Sequence, residues 1–228
     1  MKATEFSSRE ALMAGAAARV VEAISHGLHL RGTACVALSG GATPEPAYAM
    51  MARAALDWPA VTFALVDERY VAPSDAASNE NMLRRALAPA LSQGAQLAPL
   101  YHAGGDVNAA ARAADRVYAG LRFDIAVMGM GEDGHTASWF AGADGLAAAL
   151  DPGAPSVAAV RAPDAAGAAE RLTLTLPALA RAEALLLLIT GAKKRQVLEH
   201  ALAAGADAPP VSRLFRAPSP PIQVFWAP

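Results

Sequence analysis

The chain has 228 residues, enough to bury a substantial core in one domain. Apolar residues make up 54% and charged residues only 18%, a balance that excludes disorder. The formal net charge of −2 gives no basis for a nucleic-acid or acidic-membrane partner, and the one cysteine, Cys35, excludes an intrachain disulfide.

In chain order, residues 7–28 predict an amphipathic helix. Ser7 and Glu10 have capping-box spacing, and Leu12, Ala16, Val20 and Ile24 fall along one face. Residues 33–39 predict a buried strand ending in Ser-Gly-Gly-Ala-Thr-Pro. Thr43 is the expected cap of the next helix, with Pro44 at its first position and the helix running through 47–56. A strand over 61–66 leads into Asp67-Glu68-Arg69-Tyr70-Val71, and Ser78 caps a helix over 79–87. A short strand near 97–101 and a helix over 108–121 follow.

Residues 123–128 predict a buried strand that exits into Gly-Met-Gly-Glu-Asp-Gly-His-Thr-Ala-Ser-Trp-Phe, residues 129–140. Two strands, 156–160 and 171–176, come next, then the apolar run 184–190, a loop and helix over 191–204, and a last strand over 222–227. The run 184–190 is too short to cross a bilayer. The first residues, with Glu5, Arg9 and Glu10, lack a signal-peptide core, so a cytoplasmic location is expected.

Apolar strands alternating with helices predict an α/β fold: an open, mostly parallel Rossmann-like sheet with helices on both faces, with room for a small extra lobe. Ligands of such sheets bind beyond the carboxyl ends of the strands. Four polar clusters follow strands here and would converge on one edge. The glycine loop offers Ser39, Gly40, Gly41 and Thr43 for an anion. Arg69 has the planar fork for phosphate or carboxylate, unless Asp67, Glu68 and Arg69 pair internally. Lys193 and Lys194 stand together in a chain with only one other lysine, Lys2, and one of the two is expected to be a solvated surface charge. Arg171 is a further cationic candidate.

His26, His29, His102 and His200 have no polar company at suggestive spacing and are read as surface or cap residues. His135 differs, since Asp133 lies two residues before it; a nearby carboxylate fixes an imidazole's tautomer and raises its basicity. No second His or Cys stands at metal-ligand spacing, so no metal is expected. Gly129, Gly131 and Gly134 also spell G-x-G-x-x-G. The dinucleotide reading fails on context: no strand ends in an acidic residue about twenty positions on, and Glu132 and Asp133 would face the pyrophosphate. No cofactor is expected.

Together, LSGGATP, DERYV, GMGEDGHTAS, RLTLT and TGAKK resemble the 6-phosphogluconolactonase family, of the glucosamine/galactosamine-6-phosphate isomerase superfamily, over nearly the whole chain. The resemblance implies one sugar-phosphate-binding hydrolase domain that opens 6-phosphogluconolactone in the pentose phosphate pathway without a cofactor, acting as a monomer or weak homo-oligomer. It implies a catalytic base at His135. It implies phosphate contacts at Gly40, Gly41, Thr43, Arg69 and, counting from Gly191, at Lys194 rather than Lys193. Asp133 joins the catalytic pair, and Ser39, Asp67, Gly131 and Arg171 complete the expected site. The family often continues the histidine block with Leu-Phe-Pro, where this chain has Trp139, Phe140 and Ala141. The deaminase and isomerase branch follows its Asp-Gly-His with an Asn-Glu-Pro element; Thr136, Ala137 and Ser138 stand here instead.

Overall fold

The computed structural model describes residues 3–205, 208–217, 220 and 222–228. Its strands are β1 (Thr4–Glu5), β2 (Ala34–Leu38), β3 (Val61–Leu65), β4 (Asp67–Arg69), β5 (Gln96–Ala98), β6 (Ile125–Gly129), β7 (Val157–Arg161), β8 (Glu170–Leu174), β9 (Leu185–Thr190) and β10 (Ile222–Ala227). Seven of them form an open sheet in the order β1-β10-β9-β6-β2-β3-β5, with every pairing parallel. All five residues of β2 are buried, so both of its faces are covered, as an uninterrupted apolar strand requires. Among the described residues, no helix is long and apolar enough to cross a membrane.

The order reverses at β2. Succeeding strands β3 and β5 run out on one side of it, and β6, β9 and β10 on the other. A crevice therefore opens between the carboxyl ends of β2 and β6, the place where such sheets hold ligands. It is flanked by the glycine loop after Leu38 and the histidine loop after Met128.

The small extra lobe is a second sheet, β4-β8-β7, antiparallel throughout. The strand expected over 61–66 ends at Leu65, and the chain changes sheet at Val66, whose N–H donates to Leu38 O while its carbonyl accepts from Leu174 N. Asp67–Arg69 thus leaves the parallel sheet and pairs with Arg171–Thr173. The switch sets Arg69 opposite Arg171 in register.

Several boundaries differ from expectation. The first helix spans Arg9–Arg31, and Ser8 rather than Ser7 caps it, accepting from Ala11 N at 3.1 Å. The second helix spans only Glu45–Met51, and Thr43 does not cap it: Pro44 is the N-cap, with no side-chain bond. Gly41, at φ 105°, turns the chain there instead, a conformation glycine adopts without steric cost. The strand expected near 97–101 is β5, and the helix expected at 108–121 is Val107–Tyr118, capped by Asp106. Thr175 and Leu176, expected within the strand 171–176, leave it: Thr175 caps the helix Leu176–Ala180.

Candidate active site

One cleft at the crevice is lined by Ser39, Gly40, Gly41 and Thr43 from the glycine loop, and by Asp67 and Arg69 from β4. Gly131 and His135 enter from the histidine loop, Arg171 from β8, and Lys194 from the first turn of the helix Ala192–Ala203. Of the sequence-predicted residues, only Asp133 lies outside its lining; it reaches the cleft through His135.

His135 Nδ1 lies 2.6 Å from Asp133 Oδ1. With a carboxylate as acceptor, Nδ1 carries the proton and Nε2 keeps its lone pair. Burial works to raise the Asp133 carboxyl, but the hydrogen bond and charge of His135 outweigh it and hold the group below its ordinary value. Gly131 is required beside this pair: a Cβ there would stand 2.2 Å from His135 Nδ1 and 2.3 Å from Asp133 Oδ1. At Gly134, φ is 79° and a Cβ would meet Pro209 at 2.4 Å. Two of the three glycines that mimic a dinucleotide fingerprint, Gly131 and Gly134, thus have local steric causes.

Three cations face the cleft without a carboxylate partner among the described residues. Arg69 Nη1 donates to Ala77 O, and its buried Nε has no partner among the described residues. Arg171 donates from Nε to Ala168 O at 3.0 Å and from Nη2 to Ala166 O. Burial pulls the Arg171 guanidinium below its usual value, and the charge of Arg69 adds to the effect, against the pull of Asp67 and Glu68. Lys194 makes no ion pair, whereas Lys193 points to Glu132 and pairs with it. The N–H groups of Gly40, Gly41 and Thr43 have no partner among the described residues. Unpaired amides and cations around one concave space favour an anion.

The alternative, an internal pairing of Arg69 with Asp67 or Glu68, does not form among the described residues. Glu68 is fully buried and accepts from four donors: Arg69 N, Ser78 Oγ, Asn79 N and Glu80 N. Burial still pushes its carboxyl up, with these bonds opposing. It anchors the start of the helix Asn79–Ala86 and leaves Arg69 free for the cleft. Asp67 accepts from Ser138 Oγ at 2.6 Å and from Asn79 Nδ2 at 3.4 Å.

Asn79 and Ser138 are the supporting residues that the sequence reading passes over. Ser138 stands within the histidine block and Asn79 at the start of a helix, and only the fold brings them both to Asp67. Asn79 also explains Gly40, where a Cβ would come 1.9 Å from Asn79 Oδ1. Trp139, which replaces the family's usual leucine, is fully buried and donates from Nε1 to Leu174 O at 3.0 Å.

Fold and site define an open α/β protein with a cationic cleft at the carboxyl edge of its sheet, lined also by a histidine that pairs with Asp133 behind it. The model of the glucosamine-6-phosphate isomerases/6-phosphogluconolactonase family matches residues 7–226, and the chain belongs to that family. A Rhizobium meliloti protein named 6-phosphogluconolactonase is 41% identical over 223 residues, 96% of this chain and 94% of its own. One of the same name from Caulobacter vibrioides is 37% identical over 229 residues, 100% of this chain and 97% of its own. The solved 6-phosphogluconolactonase of Shewanella baltica superposes with a TM-score of 0.92 at 29% identity, covering 99% of this chain and 97% of that one.

Proposed function

We propose that the chain hydrolyses 6-phospho-D-glucono-1,5-lactone to 6-phospho-D-gluconate, the lactone-opening step of the pentose phosphate pathway, with His135 as general base. The observation that carries the reading is that His135, paired with Asp133, lines the same cleft as Arg69, Arg171 and Lys194. Full-length relatives bearing the name 6-phosphogluconolactonase support the substrate.

The phosphate binds the cations and the unpaired glycine-loop amides, and this fixes the distant ester carbon near the imidazole. Neutral His135, its Nδ1 proton held by Asp133, takes a proton at Nε2 from water as the water oxygen attacks the lactone carbonyl. Negative charge grows on the carbonyl oxygen and needs facing donors, for which loop amides are the candidates. The tetrahedral species collapses, the ring C–O bond breaks, and the proton on Nε2 passes to the departing oxygen. The new acid loses its proton to solvent, so one proton is released per turnover. Asp133 stays ionised and stabilises the transient imidazolium.

The test is proton release from freshly prepared lactone, corrected for spontaneous opening, beside the same assay with glucosamine 6-phosphate and ammonia detection. Lactone hydrolysis well above background supports the proposal. Ammonia release without lactone opening would move the chain to the isomerase and deaminase branch.

A further inference from the structure

His135 is held on more sides than its ion pair accounts for. Asp133 fixes one ring atom. Phe140 covers a face of the imidazole, with ring centroids 4.1 Å apart and planes inclined by 29°. The same phenyl ring has the Arg171 guanidinium carbon 5.0 Å from its centroid. One aromatic ring thus touches both the proposed base and one of the cleft's cations.

The backbone that delivers Phe140 is rigidly anchored. Thr136 Oγ1 donates to Gly129 O at 2.7 Å, Ser138 Oγ to Asp67 Oδ2 at 2.6 Å, and Trp139 Nε1 to Leu174 O at 3.0 Å. These bonds tie residues 136–139 to β6, β4 and β8. Between them Ala137 is held at φ 49°, the only non-glycine residue at positive φ among those described. Strain of this kind persists only where the surroundings over-determine the backbone.

Beyond Phe140 lies a second cleft, lined also by Asp133, His135 and the hairpin at 162–166. An imidazole bonded only through Nδ1 can still tilt about that bond, and this cleft gives it space to tilt into. We propose that Phe140 is a positioning residue: its ring closes that space and fixes the plane of the His135 imidazole against the substrate. The inference rests on the reading of His135 as the base.

The test uses the full chain with Phe140→Leu and Phe140→Tyr, beside His135→Asn. For Phe140→Leu, kcat falls about ten-fold, in keeping with the rate sensitivity of aligned groups to small displacements, while KM stays within about two-fold. Phe140→Tyr keeps the aromatic face and restores most of the turnover. The His135 ring protons, shielded by the phenyl ring current in the wild type, move downfield in Phe140→Leu and return in Phe140→Tyr. An unchanged kcat in a folded Phe140→Leu, a loss confined to KM, or a Tyr variant as poor as Leu overturns the proposal. So do wild-type His135 resonances that lack ring-current shielding and Overhauser contact to Phe140, a measurement that needs no variant to fold. Turnover surviving in His135→Asn would sink the base reading instead, and the resonances would still decide whether Phe140 holds the ring.

Discussion

At the amino-terminal rim of the seven-stranded sheet, Asp124 precedes β6 and accepts from Arg31 Nη2 and from Cys35 N, the latter at 2.8 Å. Arg122 pairs with Glu183 ahead of β9, and Arg19 donates to Gln223 of β10 at 2.8 Å. Burial pushes the Cys35 thiol up to about 12, with the charge of Asp124 adding to the effect, so it stays a protonated, inert side chain. At the carboxyl rim, Arg69, Arg171 and Lys194 face a cleft with no carboxylate partner among the described residues. The same sheet carries charge at both ends, but one rim satisfies its own groups and the other leaves donors for something else. A rim that is self-satisfied contributes to stability; a rim that is not leaves its donors available to a ligand.

The change that separates the rims most sharply is His135→Asn. The amide keeps some hydrogen bonding to Asp133 but accepts no proton at neutral pH. General base catalysis contributes about 10²–10⁴-fold, so kcat falls by that factor, while KM changes little. The pH dependence that the site does support belongs to Asp133. Its folded-state pKa is depressed, so its contribution to stability is complete above the ordinary carboxylate value and is lost only as pH falls through the depressed one. Initial-rate lactone hydrolysis, with thermal unfolding as a control, measures both effects. A folded His135→Asn enzyme with most of its turnover would mean that another group activates the water.

Arg69→Ala and Lys194→Ala follow in size. Their proposed target is the non-reacting phosphate, and a charge-assisted contact contributes about 1.5–3 kcal/mol, so KM rises roughly ten-fold or more. Some loss of kcat accompanies it, because remote binding also positions the ester. Saturation curves for each variant decide the matter; unchanged KM in both would move the phosphate elsewhere in the cleft.

The carboxyl rim is legible in the sequence because each cluster follows a strong apolar strand. The strand order, which closes the crevice between β2 and β6, is not written in any local pattern. Neither is the change of sheet at Val66, since apolar and β-branched residues run unbroken up to it and hydrogen bonds alone divide the strand. Asn79, Ser138 and Phe140 escaped for a related reason: their work depends on residues between 5 and 71 positions away, and their types are ordinary in loops. Local signals also misled at caps. Thr43 before Pro44 looks like a cap, yet the turn at Gly41 shifts the helix start to Glu45.

The amino-terminal rim answers to a different substitution. Asp124→Ala orphans the buried Cys35 N–H and removes the partner of Arg31. Leaving a buried donor unsatisfied costs about 1–3 kcal/mol. For a chain of this size each kcal/mol lowers Tm by about 2–4 °C. Both kcat and KM stay at wild-type values, because Asp124, Arg31 and Cys35 do not line the cleft. Calorimetry with parallel kinetics tests the division: a variant of wild-type stability and altered KM would erase the distinction between the rims.

The smallest effect belongs to Lys193→Ala, and it is informative because its neighbour is expected to matter. The two lysines are adjacent on the first turn of one helix, yet they diverge. Lys193 reaches outward to Glu132, and both side chains are largely exposed. Its hydrogen bond and charge lower the Glu132 carboxyl, but exposed pairs of this kind are screened by solvent and salt and contribute little. Lys194 lines the cleft and has no ion partner among the described residues. Removing Lys193 therefore leaves KM, kcat and Tm within experimental scatter, whereas removing Lys194 raises KM as above. The comparison is internal, since both variants shorten the same side chain on the same helical turn and any general effect on that helix cancels. If Lys193→Ala raised KM more than Lys194→Ala, the helix would have to present its other face to the phosphate, and the assignment of the cationic cleft would fall with it.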